Sequence, residues 1–365
     1  MTIIELISDI CTIGGGQTLT KNLSISISKQ RQDIKVIIVS LYTKTPSPIV
    51  DELEKHGIPI IYLNKKRGID IKCAARLKRV VNQIKPDIIH AHLSTILTLY
   101  LSKITKKYKT YYTFHSVVNN NGAFPDRINN SFIKKMMKNH SIIPVAISPI
   151  VARTITAFFG VEYPIVIFNG VDTSVFFPKP HFFERQYDFA VVGSFSEVKN
   201  QKQILDILNT IYKKGHLFKA VFLGDGPLKD ECMGFVQKNS LNNVIMFKGN
   251  VGDTFNYLKD SYFLVMKSLF EGNPMVINEA IACGTFVISN NVGGIPDVID
   301  SSTGCIIDKN DDDAFEQALI NLLEAKKDIL KRVQANLEEN RNKVSIDRLS
   351  LCYLKLFEGE FDGKL

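Results

Sequence analysis

The chain has 365 residues, 45% of them hydrophobic and 22% charged, with a mean hydropathy of +0.03. That suits a soluble globular protein with room for two domains and two cores, and it argues against intrinsic disorder. No apolar run reaches the ~18 residues that a membrane span requires. The net charge of +8 is unevenly placed: residues 1–180 hold 24 Lys and Arg against 11 Asp and Glu, and residues 181–365 hold 21 against 26. Such asymmetry points to an anionic surface facing the first half, with a merely solvated face as the plain alternative.

In chain order, short apolar runs alternate with segments of helical period. "TIIELIS" reads as a first buried strand rather than a signal peptide, because it has no basic leader and no small-residue cleavage site. "IKVIIVSL", "IPIIYL", "DIIHAH", "TYYTFH" and "IPVAIS" continue as strands, with helices expected near 17–30, 70–84, 94–106 and 149–159. Two prolines and a loss of period in 173–187 mark a linker. The rhythm then restarts with "DFAVVG", "KAVFLG", "VIMFKG", "FLVMKS", "FVISN" and "GCIID". Helices are expected between them near 200–214, 228–239, 253–260, 274–283 and 312–326, and a last one near 346–358. This alternation predicts parallel sheets wrapped by helices: one doubly wound domain over 1–172 and a second over 188–344. The final segment, 345–365, is a helix aromatic enough to pack, with the first domain as a candidate place that the sequence alone does not fix. Ligands in such sheets sit beyond the carboxyl ends of the strands, so a site between two facing domains is expected.

The six cysteines, at 11, 73, 232, 283, 305 and 352, are scattered without a C-x-x-C pair, so reduced thiols of a cytoplasmic protein are expected rather than a disulfide framework or zinc site. His90 and His92 alternate onto one face of a strand, but the sequence shows no third ligand, and a strand-end role is expected for them.

The stretch "LFEGNPMVINEAIACG" (269–284) places two acids, Glu271 and Glu279, in an apolar run. Glu271 follows a strand. Pro274 suits the first turn of a helix with Asn273 as its N-cap, so the N–H groups of Met275 and Val276 would offer an anion site. Glu279 lies about one and a half turns further on at ~1.5 Å per residue, a separation expected to exceed that of a glycosidase pair. An acid on each side of an anion site suits a ligand with hydroxyls at both ends and a diphosphate between.

With its neighbours, this segment resembles a known family. "SLFEGNPMVINEAIACGTFVISNNVGGIPDVI" (268–299) is similar to the E-x7-E segment of the retaining glycosyltransferases of family 4, which have the GT-B fold. "TIGGGQTL" (12–19), "TFHS" (113–116), "FNGVDTSVFFP" (168–178), "VVGSFSEVKNQ" (191–201) and "FLGDGP" (222–227) follow in the family's order. The resemblance implies that Glu271 contacts hydroxyls of the donor sugar, Glu279 the ribose, and Lys199 the departing diphosphate. Gly224 and Gly226, with the loop 249–253, would line the base pocket. Gly15 and Gly16 would let backbone approach the donor from the other domain, and His115 would lie near the reacting carbon. No metal or cofactor is expected. The donor is a nucleoside-diphosphate sugar, with UDP favoured over GDP, and the acceptor a glycan, lipid-linked and presented at the inner leaflet of the membrane.

One departure stands out. The family usually has Arg where this chain has Ser194, leaving Lys199 without its cationic partner; Lys202 and Lys21 are candidates to compensate. The other readings are a nucleotide-sugar epimerase of the same architecture, a basic nucleic-acid-binding module and a dinucleotide oxidoreductase. The second lacks a recognised module or stacking aromatics, and "GGGQ" does not satisfy G-x-G-x-x-G. For the basic half, "LNKKRGIDIKCAARLKRVV" (63–81), "SKITKKYKT" (102–110) and "RINNSFIKKMMKNHS" (127–141) suggest docking on anionic inner-leaflet lipid. Phe132, Met136 and Met137 would either insert beside the lysines or form the buried face of a helix.

Overall fold

The computed structural model describes residues 1–118, 124–361 and 363, with side chains described for all of these except 124–128. They divide into two compact units, Met1–Gly170 with Ile346–Leu365, and Val171–Ser345.

The first unit runs β1 (Thr2–Ile7), α1 (Gly15–Gln30), β2 (Lys35–Ser40), α2 (Pro48–Lys55), β3 (Ile60–Tyr62), α3 (Ile71–Ile84) and β4 (Ile88–His92). It continues with α4 (Ile96–Ser102), β5 (Lys109–Phe114), α5 (Phe124–Lys138), β6 (Ile143–Ala146), α6 (Pro149–Phe159) and β7 (Ile165–Val166). Among the described residues, its sheet has the order β3-β2-β1-β4-β5-β6-β7, all parallel. The central strands are buried on both faces, which is why they read as mostly apolar runs, with Glu5 in β1 and His90 and His92 in β4 as buried exceptions. Local signals fix the helix starts. Ser47, Asp70 and Ser148 accept from the backbone N–H of Ile49, Cys73 and Val151, and Pro48 and Pro149 each follow a capping serine.

The second unit runs β8 (Tyr187–Val192), α7 (Gln201–Lys213), β9 (Ala220–Leu223), α8 (Lys229–Lys238), β10 (Ile245–Gly249), α9 (Phe255–Leu258) and β11 (Ser261–Met266). α10 (Met275–Ala282), β12 (Phe286–Asn290), β13 (Gly304–Ile307), α11 (Asp312–Ala335) and α12 (Leu337–Lys343) complete it. Its parallel sheet is ordered β10-β9-β8-β11-β12-β13, so the winding reverses between β8 and β11. The last helix, α13 (Ile346–Glu358), belongs to the first unit: Ser26 Oγ donates to Asp347 at 2.7 Å and Tyr111 Oη to the Leu356 carbonyl at 2.9 Å.

The segment 173–187 is not a free linker. Phe182 is buried in the core of the second unit. Lys179 pairs with Asp260 at 2.5 Å, and Arg341 donates to the carbonyls of Thr173 and Phe176. Loss of period signalled irregular backbone there, and irregular backbone can be as firmly packed as a helix. The units instead divide after Gly170 and after Ser345. Phe132, Met136 and Met137 also settle as packing residues: the methionines are buried in the core and Phe132 stacks on Tyr100 at 4.4 Å.

Candidate functional site

In the second unit the chemistry gathers where the winding reverses, at the carboxyl ends of β8 and β11, the place where open parallel sheets bind ligands. The loops leaving the two strands are tied by a hydrogen bond from Leu269 N to the Val198 carbonyl at 2.8 Å. That brings Lys199 Nζ to 2.5 Å from Glu271 Oε1, which also accepts from Ser268 Oγ at 2.8 Å. Glu271 is 9% exposed, so it is held by partners rather than standing free at the end of a strand. Its main chain is fixed from the other side. Gly294 N donates to the Glu271 carbonyl at 3.2 Å, and a Cβ on Gly293 would lie 1.7 Å from that oxygen. At φ +57 this position also favours glycine conformationally, so Gly293 sets the place of Glu271 although it carries no chemistry itself.

α10 begins at Met275, with Pro274 (φ −71, ψ 123) as its N-cap. The expected cap, Asn273, lies one position earlier and is buried. The shift is small because proline, lacking an N–H, fits the cap as well as the first turn. Met275 and Val276 remain the first two helical residues, whose N–H groups have no acceptor within the helix. Glu279, one turn on, has Thr254 Oγ1 at 3.5 Å as its hydrogen-bond partner. Burial of its carboxyl, only partly offset by that bond, pushes its pKa up to about 7. Thr254, at the head of α9, escaped the sequence reading. Neighbouring Cys283 is buried and its thiol is pushed up to about 12, which excludes a thiolate role near neutral pH.

Gly224 and Gly226 form the contact between the loops after β8 and β9. A Cβ on Gly224 would lie 2.0 Å from the Gly193 carbonyl oxygen, and one on Gly226 would lie 2.4 Å from that of Phe195. Ser194 is exposed and its carbonyl accepts from Gln201 Nε2 at 2.8 Å. Both lysines named for the missing arginine are ion-paired within their own units. Lys202 pairs with Glu231 at 2.6 Å, and Lys21, in the first unit, with Glu52 at 2.5 Å. Asn200 occupies the N-cap of α7 in a left-handed conformation (φ 53), but its side chain donates to the Gln203 side chain and the Lys267 carbonyl and does not cap a backbone N–H of the helix.

In the first unit, Gly15 is the first residue of α1 and exposed, while Gly16 packs on Leu93, leaving 3.0 Å for a Cβ. His115 follows β5 and its Nε2 lies 3.0 Å from Nδ1 of His92. His92 Nε2 lies 2.7 Å from Glu5 Oε2, and His90 Nδ1 lies 3.0 Å from the same oxygen. So the two histidines do have a third companion, a carboxylate from β1 that pairs in register with His90. Glu5, His90 and His92 are all 0% exposed. Burial raises the Glu5 carboxyl, but the adjoining His90 and the hydrogen bonds from both imidazoles prevail and hold it at about 2. A lone acid inside "TIIELIS" was the available signal.

The family described as "Glycosyl transferases group 1" matches residues 172–343, and "Glycosyltransferase Family 4" matches residues 13–175. An uncharacterized glycosyltransferase of Methanocaldococcus jannaschii is 28% identical over 197 residues, 53% of each chain. An Escherichia coli UDP-Gal:alpha-D-GlcNAc-diphosphoundecaprenol alpha-1,3-galactosyltransferase is 30% identical over 175 residues, 44% of this chain and 45% of the relative. The chain thus spans about half the length of both curated relatives. Among solved structures, the Anabaena protein HepE in complex with UDP superposes with a TM-score of 0.80 at 16% identity, covering 98% of this chain and 100% of that one, a likeness of fold. With two adjoining family matches that run from residue 13 to residue 343, and a parallel α/β sheet in each unit, the chain belongs to the glycosyltransferases of the group 1 and family 4 type, with the GT-B fold.

Proposed function

We propose that the protein is a retaining, metal-independent glycosyltransferase that moves a sugar from a nucleoside-diphosphate donor to a lipid-linked glycan in surface-polysaccharide synthesis. The observation that carries the reading is the Lys199–Glu271 pair beside the first turn of α10. Departure of a nucleoside diphosphate builds negative charge, and an ammonium held by a carboxylate, together with helix N–H groups, is suited to meet it. Glu271 would then take sugar hydroxyls and Glu279 those of the ribose, with Gly224, Gly226 and Ser194 beside the donor. UDP is the favoured carrier: the HepE structure contains UDP, and the name of the E. coli relative gives UDP-Gal as its donor and a diphosphoundecaprenol-linked sugar as its acceptor.

A thermal-shift screen over UDP and GDP sugars tests the donor. A ligand at 100 times its Kd raises stability by about 2.7 kcal/mol. UDP sugars should produce that shift without added divalent cation; a response to GDP sugars alone, or one that requires the cation, would overturn the donor or the metal-free reading.

The lipid-linked acceptor motivates the second part, docking of the first unit on anionic lipid at the cytoplasmic face. Among the described residues, no helix is long and apolar enough to cross a membrane. Among the described residues, the large apolar side chains exposed in the lysine-rich stretches are Ile69 and Ile71, 67% and 70% exposed, flanked by exposed Lys66, Arg67 and Lys72. They take the place that Phe132, Met136 and Met137 would have had. Each cation near an anionic surface contributes ~1 kcal/mol. Co-sedimentation with vesicles should require anionic lipid, weaken with salt and weaken again in Ile69→Ser/Ile71→Ser; equal binding to neutral vesicles, or none, would sink it.

A further inference from the structure

We propose that Glu5 and His92 are positioning residues that hold His115 as its Nε2–H tautomer, so that Nδ1 is presented as a hydrogen-bond acceptor to a substrate hydroxyl. The substrate half of this statement rests on the function proposed above; the wiring does not.

The proton positions follow from the order of the contacts. An ionised carboxylate only accepts, so the His92 nitrogen 2.7 Å from Glu5, Nε2, must carry a proton. Burial in the first place, and the neighbouring His90 in the second, push His92 down to about 4, so near neutral pH it has one N–H and that one is spent on Glu5. Its Nδ1 is then a bare lone pair. The 3.0 Å contact to His115 Nε2 can be a hydrogen bond only if His115 donates it. Burial also lowers His115 well below the usual histidine range, leaving it neutral with the proton on Nε2. Its Nδ1 carries the lone pair, and among the described residues no protein group is bonded to that atom.

The carboxylate that directs this chain is clamped from its other side. His90 donates through Nδ1 at 3.0 Å and meets Thr113 Oγ1 through Nε2 at 2.7 Å, and Thr113 is in turn bonded to Tyr353 Oη of α13 at 3.0 Å. Immediately beyond His92 the backbone is also fixed. Leu93 turns at φ 51, its carbonyl accepts from Tyr112 Oη, and the His92 carbonyl accepts from Thr95 Oγ1 at 2.9 Å. A buried acid with two buried imidazoles is an expensive way to fill a sheet interior that Ile or Val would fill well. It gains purpose if the half-buried histidine at the end of the chain has to keep one tautomer.

The test uses the full chain labelled with 15N-histidine, with His115 assigned by the signal lost in His115→Gln, and two-bond 1H–15N spectra at pH 7.5 beside steady-state kinetics. The wild type should show His115 protonated on Nε2 and bare on Nδ1. His92→Leu breaks the chain, so His115 should become a tautomer mixture, with kcat falling about tenfold to a hundredfold and donor KM changing much less. In His92→Gln, the amide can donate to Glu5 and accept from His115, so the single tautomer and at least part of the lost kcat should return. Thermal melts check that each variant folds, and Glu5→Gln is the substitute for His92→Leu if that one does not. A wild-type His115 protonated on Nδ1 or on both nitrogens, an unchanged tautomer in His92→Leu, or one divalent ion per chain bound at Glu5, His90 and His92 would overturn the wiring. The spectra read the wiring and kcat the substrate role: a tautomer that responds as expected while kcat stays at the wild-type level would remove His115 from the reaction.

Discussion

Replacing Glu271 by glutamine should lower kcat for transfer by about a hundredfold to a thousandfold, the range for loss of one preorganised charge-stabilising group. The amide keeps the shape and can still accept from Ser268 Oγ, but the ammonium of Lys199 loses the anion that holds it at 2.5 Å. On the function proposed above, two effects then combine: the sugar hydroxyls lose a charged acceptor, and the cation that would meet the leaving diphosphate loses its orientation. Glu271→Ala should be at least as inactive and less stable, because removing one partner from a mostly buried pair leaves the other partly uncompensated. Lys199 keeps a quarter of its side-chain exposure, so water limits that loss. Turnover and melting curves for both variants decide the matter. Near-normal kcat in a folded Glu271→Gln would remove Glu271 from the reaction, whereas a collapse of both variants on melting would make it a structural acid.

Much of this architecture is legible from periodicity, because parallel strands covered on both faces are nearly continuous apolar runs and their crossovers are mostly helical. β12 falls on "FVISN" and α13 on 346–358 without adjustment. What escaped was set by contacts distant in sequence. α2 carries a capping serine and a proline in its first turn, but its three buried residues, Ile49, Val50 and Leu53, are too few to stand out as a period. The chemistry divides the same way. Glu271, Glu279 and Lys199 lie in segments whose local pattern resembles a family. Glu5 gains its meaning only when β1 and β4 pair in parallel and bring it beside residues 85 and 87 positions away. Gly293 is likewise explained only by the carbonyl of Glu271 that its missing Cβ leaves room for.

Glu279→Gln should make the protein more stable above neutral pH and a poorer binder of its donor. With the folded carboxyl raised to about 7 against 4.5 when unfolded, both states are protonated below pH 4.5 and the acid costs nothing there. Between 4.5 and 7 the unfolded chain gives up its proton while the folded one retains it, so wild-type stability falls through that window and stays lowered above it. Glutamine does not titrate. The variant's advantage should therefore be small at pH 4.5, grow as the pH rises and level off above 7 at roughly 1–3.5 kcal/mol, the upper figure being the full shift from 4.5 to about 7 at about 1.4 kcal/mol per unit. Thermal melts from pH 4.5 to 8.5 read this directly, and a difference that is flat across the range, or that grows towards acid, would be incompatible with a raised carboxyl. Donor affinity should move the opposite way. An ionised carboxylate accepts from ribose hydroxyls more strongly than an amide, so at pH 8 the donor KM of the variant should rise about tenfold with a smaller change in kcat, as expected for a contact made alike in ground and transition states. For the same reason wild-type donor binding should tighten from pH 6 to 8 and that of the variant should not. A carboxylate that destabilises the unliganded fold and strengthens ligand binding is retained for the ligand, whereas one whose loss changes neither KM nor its pH dependence belongs only to the packing around α10.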